Sequence, residues 1–260
     1  MKITVFASGS GGNCLLLCGG GTNILIDAGI SLRRLSDALG QCCLSLQDIG
    51  GVLITHEHSD HISGLGSLIK KTDIPVYAPR RLAGRLSLMI PGAYERITEI
   101  PVGESFSISG LQIRAFHTPH DASESVGYHV EHGVSFALAT DMGRVTDEIR
   151  AALHGCDTVL IEANHDVDML LSGPYPPVLK RRILSERGHL SNADCAELAR
   201  ELAQSGTRQI ILGHLSRKNN SPEAAHRTVA AALEGMDVSL YCAPESGCLE
   251  ITMEEEPCLA

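Results

Sequence analysis

The sequence predicts an α/β fold in which two mixed β-sheets pack together and helices cover their outer faces. Short apolar segments with the length of buried strands alternate with amphipathic helical segments along most of the 260 residues. The chain opens with a β-hairpin pattern and its later strand order is mixed, so a simple parallel doubly wound sheet does not fit. No linker, low-complexity tract or fixed repeat is visible, so we expect one domain over residues 1–260.

Glycine-rich turns separate the strand patterns in the first third of the chain. An apolar strand pattern covers residues 3–7, and residues 14–18 and 23–26 form a hairpin pattern across three consecutive glycines. Ser31 is suited to cap the amphipathic helix that follows it. Residues 52–55 form a short buried strand that ends where a histidine cluster begins.

Beyond this cluster, helical and strand patterns alternate to the end of the chain. Helices are predicted at residues 62–71, 79–89, 146–153, 177–186, 191–204 and 222–234. Strands are predicted at residues 76–78, 105–108, 111–116, 126–131, 134–139, 158–161 and 208–212, followed by two strand patterns in the tail. Residues 171–177 form a proline-rich bend without a clear element.

Composition excludes several classes of protein. No segment reaches the run of about 18 apolar residues that a membrane span needs. The N-terminus enters a strand pattern without a signal-peptide core, so we expect a cytoplasmic protein with no membrane partner. The nine cysteines include no Cys-x-x-Cys pair, which argues against a disulfide framework or a zinc ribbon. The formal charge of −10 argues against a protein that is basic overall, but it leaves a local basic groove open.

The segment His56-Glu57-His58-Ser59-Asp60-His61 places four side chains of metal-ligand type within six residues. Neutral imidazoles suit zinc, iron and manganese, and a carboxylate adds negative charge. The segment lies between a buried strand and a helical pattern, so we expect it to form a loop at a strand end. A solvated polar loop is the alternative, but four residues of metal-ligand type at this spacing favour a metal site.

One such cluster cannot saturate two metal ions, so further ligands are expected at the ends of other strands. His120, Asp141 and His214 each follow a predicted strand. Functional groups collect at strand ends because the sheet fixes the positions of the loops there. His117 is a rival for His120, although its place at the strand end suits a hydrogen-bonded structural histidine better.

With these motifs the sequence resembles the metallo-β-lactamase superfamily over nearly its full length. The resemblance rests on Asp27, residues 56–61, His120, Asp141 and His214, in the order typical of that superfamily. It implies an αβ/βα sandwich in which one metal is held by His56, His58 and His120. A second metal would be held by Asp60, His61 and His214. Asp141 would bridge the two ions, and Asp27 would orient a ligand without binding metal.

Within the superfamily, the sequence is similar to the YycJ/WalJ family of hydrolases. Four segments carry this similarity: residues 7–13, 162–166, 188–192 and 214–220. Position 11 is glycine where a serine or similar residue is expected, and position 218 is lysine where an acid is common, but neither is a proposed ligand. The similarity implies 5′-to-3′ exonuclease activity, with DNA more strongly expected than RNA.

The expected reaction is hydrolysis of a phosphodiester by a hydroxide that two divalent cations share. Cations about 3.5–4 Å apart lower the pKa of such a water toward about 7 and neutralise phosphate oxygens. Zinc is the first expectation, and manganese or iron is also compatible. Asp60, Glu162 and His189 are the candidate catalytic residues.

His189 precedes a predicted helix, where backbone N–H groups would suit an anion. Similar histidine motifs approach the scissile phosphate in nuclease members of the superfamily such as ribonuclease Z, and this resemblance extends the inference to His189. Glu162 would then orient His189 or assist proton transfer. A helix-capping histidine and a solvent-exposed carboxylate are the alternatives, and a functional or structural role for His165 is equally open.

Arg217 and Lys218 follow His214 directly and join His189 as candidate contacts to substrate phosphates. Basic clusters at residues 80–85 and 180–182 are alternatives, although a charged helix face is more often merely solvated. Aromatic residues make up only 3% of the chain and tryptophan is absent, which favours contacts to the nucleic-acid backbone over base stacking.

Two other functions fit part of the pattern. A thioester or lactone hydrolase of the glyoxalase II type would use the same metals on a carbonyl carbon, but the motifs at Glu162 and His189 favour a phosphodiester. A non-enzymatic metal-binding protein is also conceivable, although a catalytic centre with an open position is more than structural binding needs. The sequence does not predict an oligomeric state.

Overall fold

In a computed structural model, which describes residues 1–254, fourteen strands form two sheets of seven strands each. The strands of the first sheet are β1 (Lys2–Ala7), β2 (Cys14–Gly19), β3 (Thr22–Ile26), β4 (Gly51–Leu53), β5 (Val76–Pro79), β6 (Ile97–Ile100) and β14 (Leu249–Thr252). Those of the second are β7 (Ser105–Ile108), β8 (Leu111–His117), β9 (Val126–His132), β10 (Val134–Ala139), β11 (Thr158–Glu162), β12 (Gln209–Gly213) and β13 (Ser239–Cys242).

Each sheet is antiparallel on one side and parallel on the other. The first sheet has the order β14-β1-β2-β3-β4-β5-β6, and its pairing changes from antiparallel to parallel at β3. The second has the order β13-β12-β11-β10-β9-β8-β7, and its pairing changes at β10. The predicted pair of mixed sheets is confirmed.

Side chains along the central strands alternate between two apolar layers. In β2, Leu15 and Leu17 belong to the core between the sheets, whereas Leu16 packs with the helices of the first sheet. In β10, Phe136 lies in the core between the sheets and Ala137 packs with the helices of the second. Both faces of these strands are therefore buried, which explains their nearly continuous apolar sequence.

Helices cover the outer faces of both sheets. The helices before residue 90 are α1 (Leu32–Gln41), α2 (Ser59–Ile62), α3 (Leu65–Lys71) and α4 (Arg80–Met89). The later helices are α5 (Asp147–Leu153), α6 (Val167–Ser172), α7 (Pro177–Ile183), α8 (Asn192–Gln204) and α9 (Pro222–Ala232). Ser31 caps α1 as predicted, because its hydroxyl accepts a hydrogen bond from the Arg34 backbone N–H at 3.3 Å.

Besides a short 3-10 helix at Leu46–Asp48, one strand and one α-helix of the structure were not predicted from the sequence. The edge strand β6 has four residues, and its two central side chains are exposed, so its apolar pattern is weak. The helix α6 is capped by Asp166, whose carboxylate accepts a hydrogen bond from the Met169 N–H at 2.9 Å, but it buries only Leu170. Its apolar periodicity is too sparse to reveal a helix, and the bend predicted at residues 171–177 begins only after residue 172.

The helix predicted at residues 62–71 is in fact two helices, and the first begins inside the histidine motif. The short helix α2 starts at Ser59, and Gly64 separates it from α3. A Cβ atom at Gly64 would overlap the carbonyl oxygen of Ile30, so the chain segments cross there at a distance that only glycine permits. Asp60 and His61 are thus carried by a helical turn, and the expectation of a simple loop is wrong.

Three polar residues just beyond strand ends have left-handed backbone conformations. The φ angle is 62° at Asp27 after β3, 57° at Asp141 after β10 and 55° at His214 after β12. Such angles are uncommon for residues that carry a Cβ atom, and they concentrate at functional sites where the surrounding structure holds them. All three residues lie at the carboxyl ends of their strands, close to the histidine cluster.

None of the helices within residues 1–254 combines the length and the hydropathy that a bilayer crossing requires. The cytoplasmic location stays a prediction. The single domain over residues 1–260 also stays a prediction, and residues 255–260 lie outside the described part of the chain.

Candidate active site

The carboxyl ends of strands from both sheets meet at one cluster of histidines and carboxylates. The cluster brings together the seven side chains that were expected to bind metal: His56, His58, Asp60, His61, His120, Asp141 and His214. The first four follow β4 of the first sheet, and the last three follow β8, β10 and β12 of the second. The cluster therefore spans the junction between the sheets.

His56, His58 and His120 form one group of converging imidazoles. Nε2 of His120 lies 3.2 Å from Nδ1 of His58. The other nitrogen of His120, Nδ1, donates to the carbonyl oxygen of Gly188 at 3.0 Å, which leaves the Nε2 lone pair for a cation. His56 is fully buried, and its Nε2 has no hydrogen-bond partner within residues 1–254.

Asp60, His61 and His214 form a second group. Oδ2 of Asp60 lies 3.6 Å from Nε2 of His61 and 3.3 Å from Nε2 of His214. Nδ2 of Asn13 lies 3.0 Å from the same Nε2 of His61. This group thus presents two imidazole nitrogens and one carboxylate oxygen toward a common point.

Asp141 lies between the two groups. Its Oδ1 is 4.0 Å from Nε2 of His56 and 3.7 Å from Nε2 of His120, whereas its Oδ2 is 3.3 Å from Nε2 of His61. The side chain is buried, and Oδ2 has no well-aligned hydrogen bond from any residue in the described range. Burial of a carboxylate without such donors is costly unless positive charge lies close by, so Asp141 suits a ligand that two cations share.

Asp27 contacts the ring nitrogen of His61 that points away from the cluster. Its Oδ2 accepts a hydrogen bond from Nδ1 of His61 at 2.7 Å, and Thr55 donates its backbone N–H to Oδ1 at 2.9 Å and its hydroxyl to Oδ2 at 2.9 Å. The contact places the proton of His61 on Nδ1 and leaves Nε2 as the nitrogen directed at the cluster. Asp27 thereby fixes both the orientation and the tautomer of His61.

The histidines of the cluster differ in the direction in which their surroundings shift the pKa. Burial lowers the pKa of His56 well below 6.5, so this ring is neutral and able to act as a ligand. Burial also opposes protonation of His61, but the carboxylates of Asp141 and Asp27 outweigh it and raise its pKa to about 10. Asp141 similarly overcomes burial and raises the pKa of His214. Without metal, protons on these two rings balance the buried carboxylates.

This donor set fits divalent metal ions. It combines imidazole nitrogens with carboxylate oxygens, and each group of donor atoms lies within 4.8 Å. The unpartnered His56 Nε2 and Asp141 Oδ2 are buried polar atoms that a cation would satisfy. Asp141 belongs to two further donor groups, one with His56 and His61 and one with Glu162, His189 and His214, so the cluster provides more donors than a single ion requires.

Glu162 links a further histidine to the cluster. Its Oε1 accepts hydrogen bonds from Nδ1 of His189 at 2.7 Å and from Nδ1 of His214 at 3.0 Å. Its Oε2 accepts from the backbone N–H groups of Met142 at 2.9 Å and Leu190 at 3.2 Å. Glu162 is completely buried, so the alternative of a solvent-exposed carboxylate is wrong.

The backbone amides near His189 are already engaged within the protein. The N–H of Leu190 donates to Glu162, that of Asn192 donates to the carbonyl oxygen of His165, and that of Asp194 donates to the hydroxyl of Ser191. These three groups are therefore not free for a substrate anion, contrary to the sequence-based expectation. Any contact of His189 with a substrate must come from its imidazole ring, which is 18% exposed.

A solvent-accessible cavity of about 340 Å³ opens beside the cluster. The side chains that line it include His58, Asp60, Asp141, His189 and His214. Tyr175, Leu179, Arg182 and Ile183 also line it. A larger cavity of about 730 Å³ lies at the opposite, amino-terminal ends of β10, β11 and β12, and no histidine lines it.

The remaining candidate residues take separate positions. His117 is 54% exposed and lies near Glu124 and Glu148, outside the converging donor groups. Arg217 forms an ion pair with Glu245, and Lys218 lies over the Tyr175 ring with its Nζ 5.7 Å from the ring centroid. His165 is buried, and neither ring nitrogen has a hydrogen-bond partner within residues 1–254.

The sequence did not single out several residues that the fold brings to the site. Asn13 sits in a recognised glycine-rich loop, but its contact with His61 depends on pairing between distant segments. Tyr175 carries no recognisable motif, and it reaches the cavity together with side chains of α7. At position 11, a Cβ atom would meet the guanidinium of Arg217, the mobile end of a long side chain.

Comparisons with known proteins agree with this geometry. Residues 22–215 match the family model described as a beta-lactamase superfamily domain. The chain is 37% identical over 236 residues to exodeoxyribonuclease YycJ of Bacillus anthracis, covering 90% of this chain and 89% of that protein. It is also 37% identical over 245 residues to exodeoxyribonuclease WalJ of Streptococcus pneumoniae, covering 92% and 90% of the two chains.

Two further comparisons show a similarity that is limited either to the fold or to a short segment of the chain. The crystal structure of the metallo-beta-lactamase fold protein YhfI from Bacillus subtilis covers 96% of this chain and 98% of that chain, with a TM-score of 0.73 and 16% identity. This similarity concerns the fold alone. A hydroxyacylglutathione hydrolase of Xylella fastidiosa is 41% identical, but over only 69 residues, which are 26% of this chain and 23% of that protein.

The two mixed sheets and the cluster of histidine and carboxylate donors together define the protein as a metal-dependent hydrolase. The chain belongs to the beta-lactamase superfamily and, within it, to the family of the YycJ and WalJ proteins.

Proposed function

We propose that this protein is a two-metal-dependent exonuclease that degrades DNA from the 5′ end. The observation that carries the proposal is the position of the His189–Glu162 pair beside the seven-residue cluster, in one cavity open to solvent. Proteins named exodeoxyribonuclease share 37% of their residues with this chain over about nine-tenths of its length. Their names support DNA, rather than RNA, as the substrate.

The proposed metal ligands follow the two converging groups. One ion would be held by His56, His58 and His120, and the other by Asp60, His61 and His214. Asp141 would bridge the ions, with Asp27 orienting His61. When bound, such ions act as Lewis acids that lower the pKa of water and neutralise phosphate oxygens. Zinc is the proposed metal, and manganese or iron has compatible ligand preferences.

The proposed catalytic contribution of the chain itself centres on His189. The attacking water gives up one proton to solvent as its oxygen bonds to phosphorus, the bond from phosphorus to the leaving nucleoside oxygen breaks, and that oxygen gains a proton. Nδ1 of His189 is committed to Glu162, which makes Nε2 the proposed proton donor. The buried carboxylate of Glu162 fixes the orientation of the ring, so that Nε2 is the nitrogen left for the substrate.

Phosphate binding is assigned to His189 and to Arg217 and Lys218, the two basic residues that follow His214 in the same loop. The guanidinium of Arg217 is paired with Glu245, so a substrate phosphate must compete with a carboxylate for it. Lys218 forms no ion pair within residues 1–254, and its ammonium group is the better proposed phosphate contact of the two.

Cleavage of end-labelled nucleic acids tests the proposal directly. Purified protein stripped of metal is reloaded with zinc, manganese or iron and offered single- and double-stranded DNA and RNA labelled at the 5′ end. We expect release of labelled mononucleotides from DNA as the first product. Internal fragments, or equal activity on RNA, would contradict a DNA exonuclease that starts at the 5′ end.

The thioester or lactone hydrolase serves as the competing activity in the same experiment. The partial match to hydroxyacylglutathione hydrolase covers too little of either chain to support it. A thioester substrate should therefore be turned over far more slowly than DNA. Comparable rates on both substrates would overturn the phosphodiester assignment while leaving the metal centre intact.

A further inference from the structure

The cavity beside the metal cluster has two chemically different walls. One wall carries the histidines and carboxylates of the cluster, together with His189. The other is built by Tyr175, which follows α6, and by Leu179 and Ile183, which lie one turn apart on α7. Arg182 also lines the cavity, and its guanidinium is paired with Asp121. A ligand that fits this space needs an anionic group at one side and an apolar, preferably planar, group at the other.

The volume of the cavity limits the size of that ligand. About 340 Å³ lies at the lower end of the roughly 300–1,000 Å³ typical of small-molecule sites. Such a space accommodates one nucleotide-sized group and excludes the full width of a duplex. The terminal nucleotide of a strand meets both requirements, because it combines a phosphate with a flat base.

Tyr175 is held firmly enough to act as a platform. It lies between Pro174 and Pro176, and proline restricts both its own φ angle and the conformation of the residue before it. Lys218 lies over the ring, with Nζ 5.7 Å from the centroid. Lys218 is not itself among the residues that line the cavity. Tyr175 is also the one tyrosine that lines this cavity within residues 1–254.

We propose that Tyr175 stacks against the base of the terminal nucleotide and thereby selects a strand end that carries an unpaired base. The proposal rests on the proposed nuclease function and adds a base-binding subsite to it. Stacking on an aromatic ring is tolerant of base identity, because every base has a π-face. The enzyme would therefore distinguish the presence of a terminal base but not its sequence.

Two oligonucleotides test this subsite. Both are single-stranded, 5′-phosphorylated and identical, except that the first nucleotide carries a base in one and is abasic in the other. We expect the wild-type protein to have a kcat/KM roughly five- to hundred-fold higher for the strand with the base. In Tyr175→Ala and Tyr175→Leu this ratio should fall to near one, whereas Tyr175→Phe should keep it.

Tyr94→Ala provides the matched control, because Tyr94 is 81% exposed and lies outside the cavity. It should leave the ratio unchanged. A second readout needs no turnover: a 5′-terminal 2-aminopurine should lose fluorescence when it binds metal-stripped wild-type protein, and lose much less with Tyr175→Leu. Tyr175→Leu keeps an apolar side chain of similar reach, so melting curves should show it folded.

The outcomes separate this inference from the proposed function. If the wild-type protein cleaves neither oligonucleotide with any of the three metals, the nuclease assignment fails. If it cleaves both strands with equal efficiency, or if the 2-aminopurine signal is the same in Tyr175→Leu, the nuclease assignment stands and the stacking subsite is wrong.

Discussion

The buried carboxylate of Glu162 accepts a hydrogen bond from Nδ1 of His189 at 2.7 Å, so the ring that lines the cavity can offer only Nε2 to a substrate. Burial alone would favour the neutral acid, but the neighbouring His189 outweighs it and lowers the pKa of Glu162 to about 2. Glu162 therefore stays ionised at any working pH. The pair is a carboxylate–imidazole unit of fixed orientation that lines the cavity.

Replacement of His189 by alanine should separate catalysis from metal binding. We expect kcat on DNA to fall by roughly 10²–10⁴-fold, the usual contribution of a positioned acid or base, while metal content stays near normal. Elemental analysis and steady-state kinetics on the same preparation measure both quantities. His226→Ala, at an exposed position on α9, is the control and should change neither. A parallel loss of metal in His189→Ala would make His189 a ligand instead.

Alanine at His58 or His120 should remove metal and activity together. Each ring contributes a nitrogen to the same converging group, and an ion that loses one of three imidazoles has too few donors left. His117→Ala is the matched control, because His117 is close in sequence to His120 but pairs with glutamates outside the cluster. Elemental analysis of the three variants gives the answer. Loss of metal in His117→Ala, with normal content in His120→Ala, would exchange the two assignments.

Substitution of Asp27 by asparagine should weaken metal binding without abolishing it. Asparagine keeps the size of the side chain but removes the charge that fixes the Nδ1 proton of His61. Loss of such a supporting carboxylate commonly lowers metal affinity by about 10–100-fold. Competition with a chromophoric chelator measures the change. An unaltered affinity would show that Thr55 and the fold position His61 without help from that charge.

The metal-free protein should lose stability as the pH rises from about 6.5 to about 10. The pKa of His61 is about 10 in the folded protein, raised against burial by Asp141 and Asp27 from a reference value of 6.5. Its proton therefore stabilises the fold fully below pH 6.5, and this stabilisation disappears as the pH rises through 10. Saturating zinc should replace the proton and flatten the profile in this range. Thermal melting with chelator or with zinc compares the two states, and identical slopes would contradict the linkage.

Local sequence patterns predict the parts of this molecule that local physics determines. The buried strands and the ligand-rich segment at residues 56–61 are recognisable because alternation and ligand spacing are properties of neighbouring residues. The strand-end positions of His120, Asp141 and His214 could be inferred because strands direct polar residues to their ends. Their convergence, in contrast, depends on the packing of two sheets, and only the family resemblance anticipated it.

Contacts between segments that are far apart in the sequence could not be predicted from local patterns. The ion pair of Arg217 with Glu245 joins a loop after β12 to the segment before β14, and it changes how available Arg217 is to a phosphate. The short strand β6 and the sparsely buried helix α6 lack a strong apolar period, so tertiary contacts rather than local preference define them. The role of Tyr175 likewise depends on where α6 and α7 lie.

The placement of the ligands on both sheets has a mechanical consequence. Each proposed ion would take ligands from the segment after β4 and from loops of the opposite sheet, so it would act as a cross-link between the two halves of the sandwich. Two such cross-links tie together segments that are far apart in sequence and restrict the sheets from sliding over their shared apolar core. Chelation should therefore loosen the whole sandwich, and slow amide exchange should accelerate in β2 and β10 together rather than only in the loops that hold the metals.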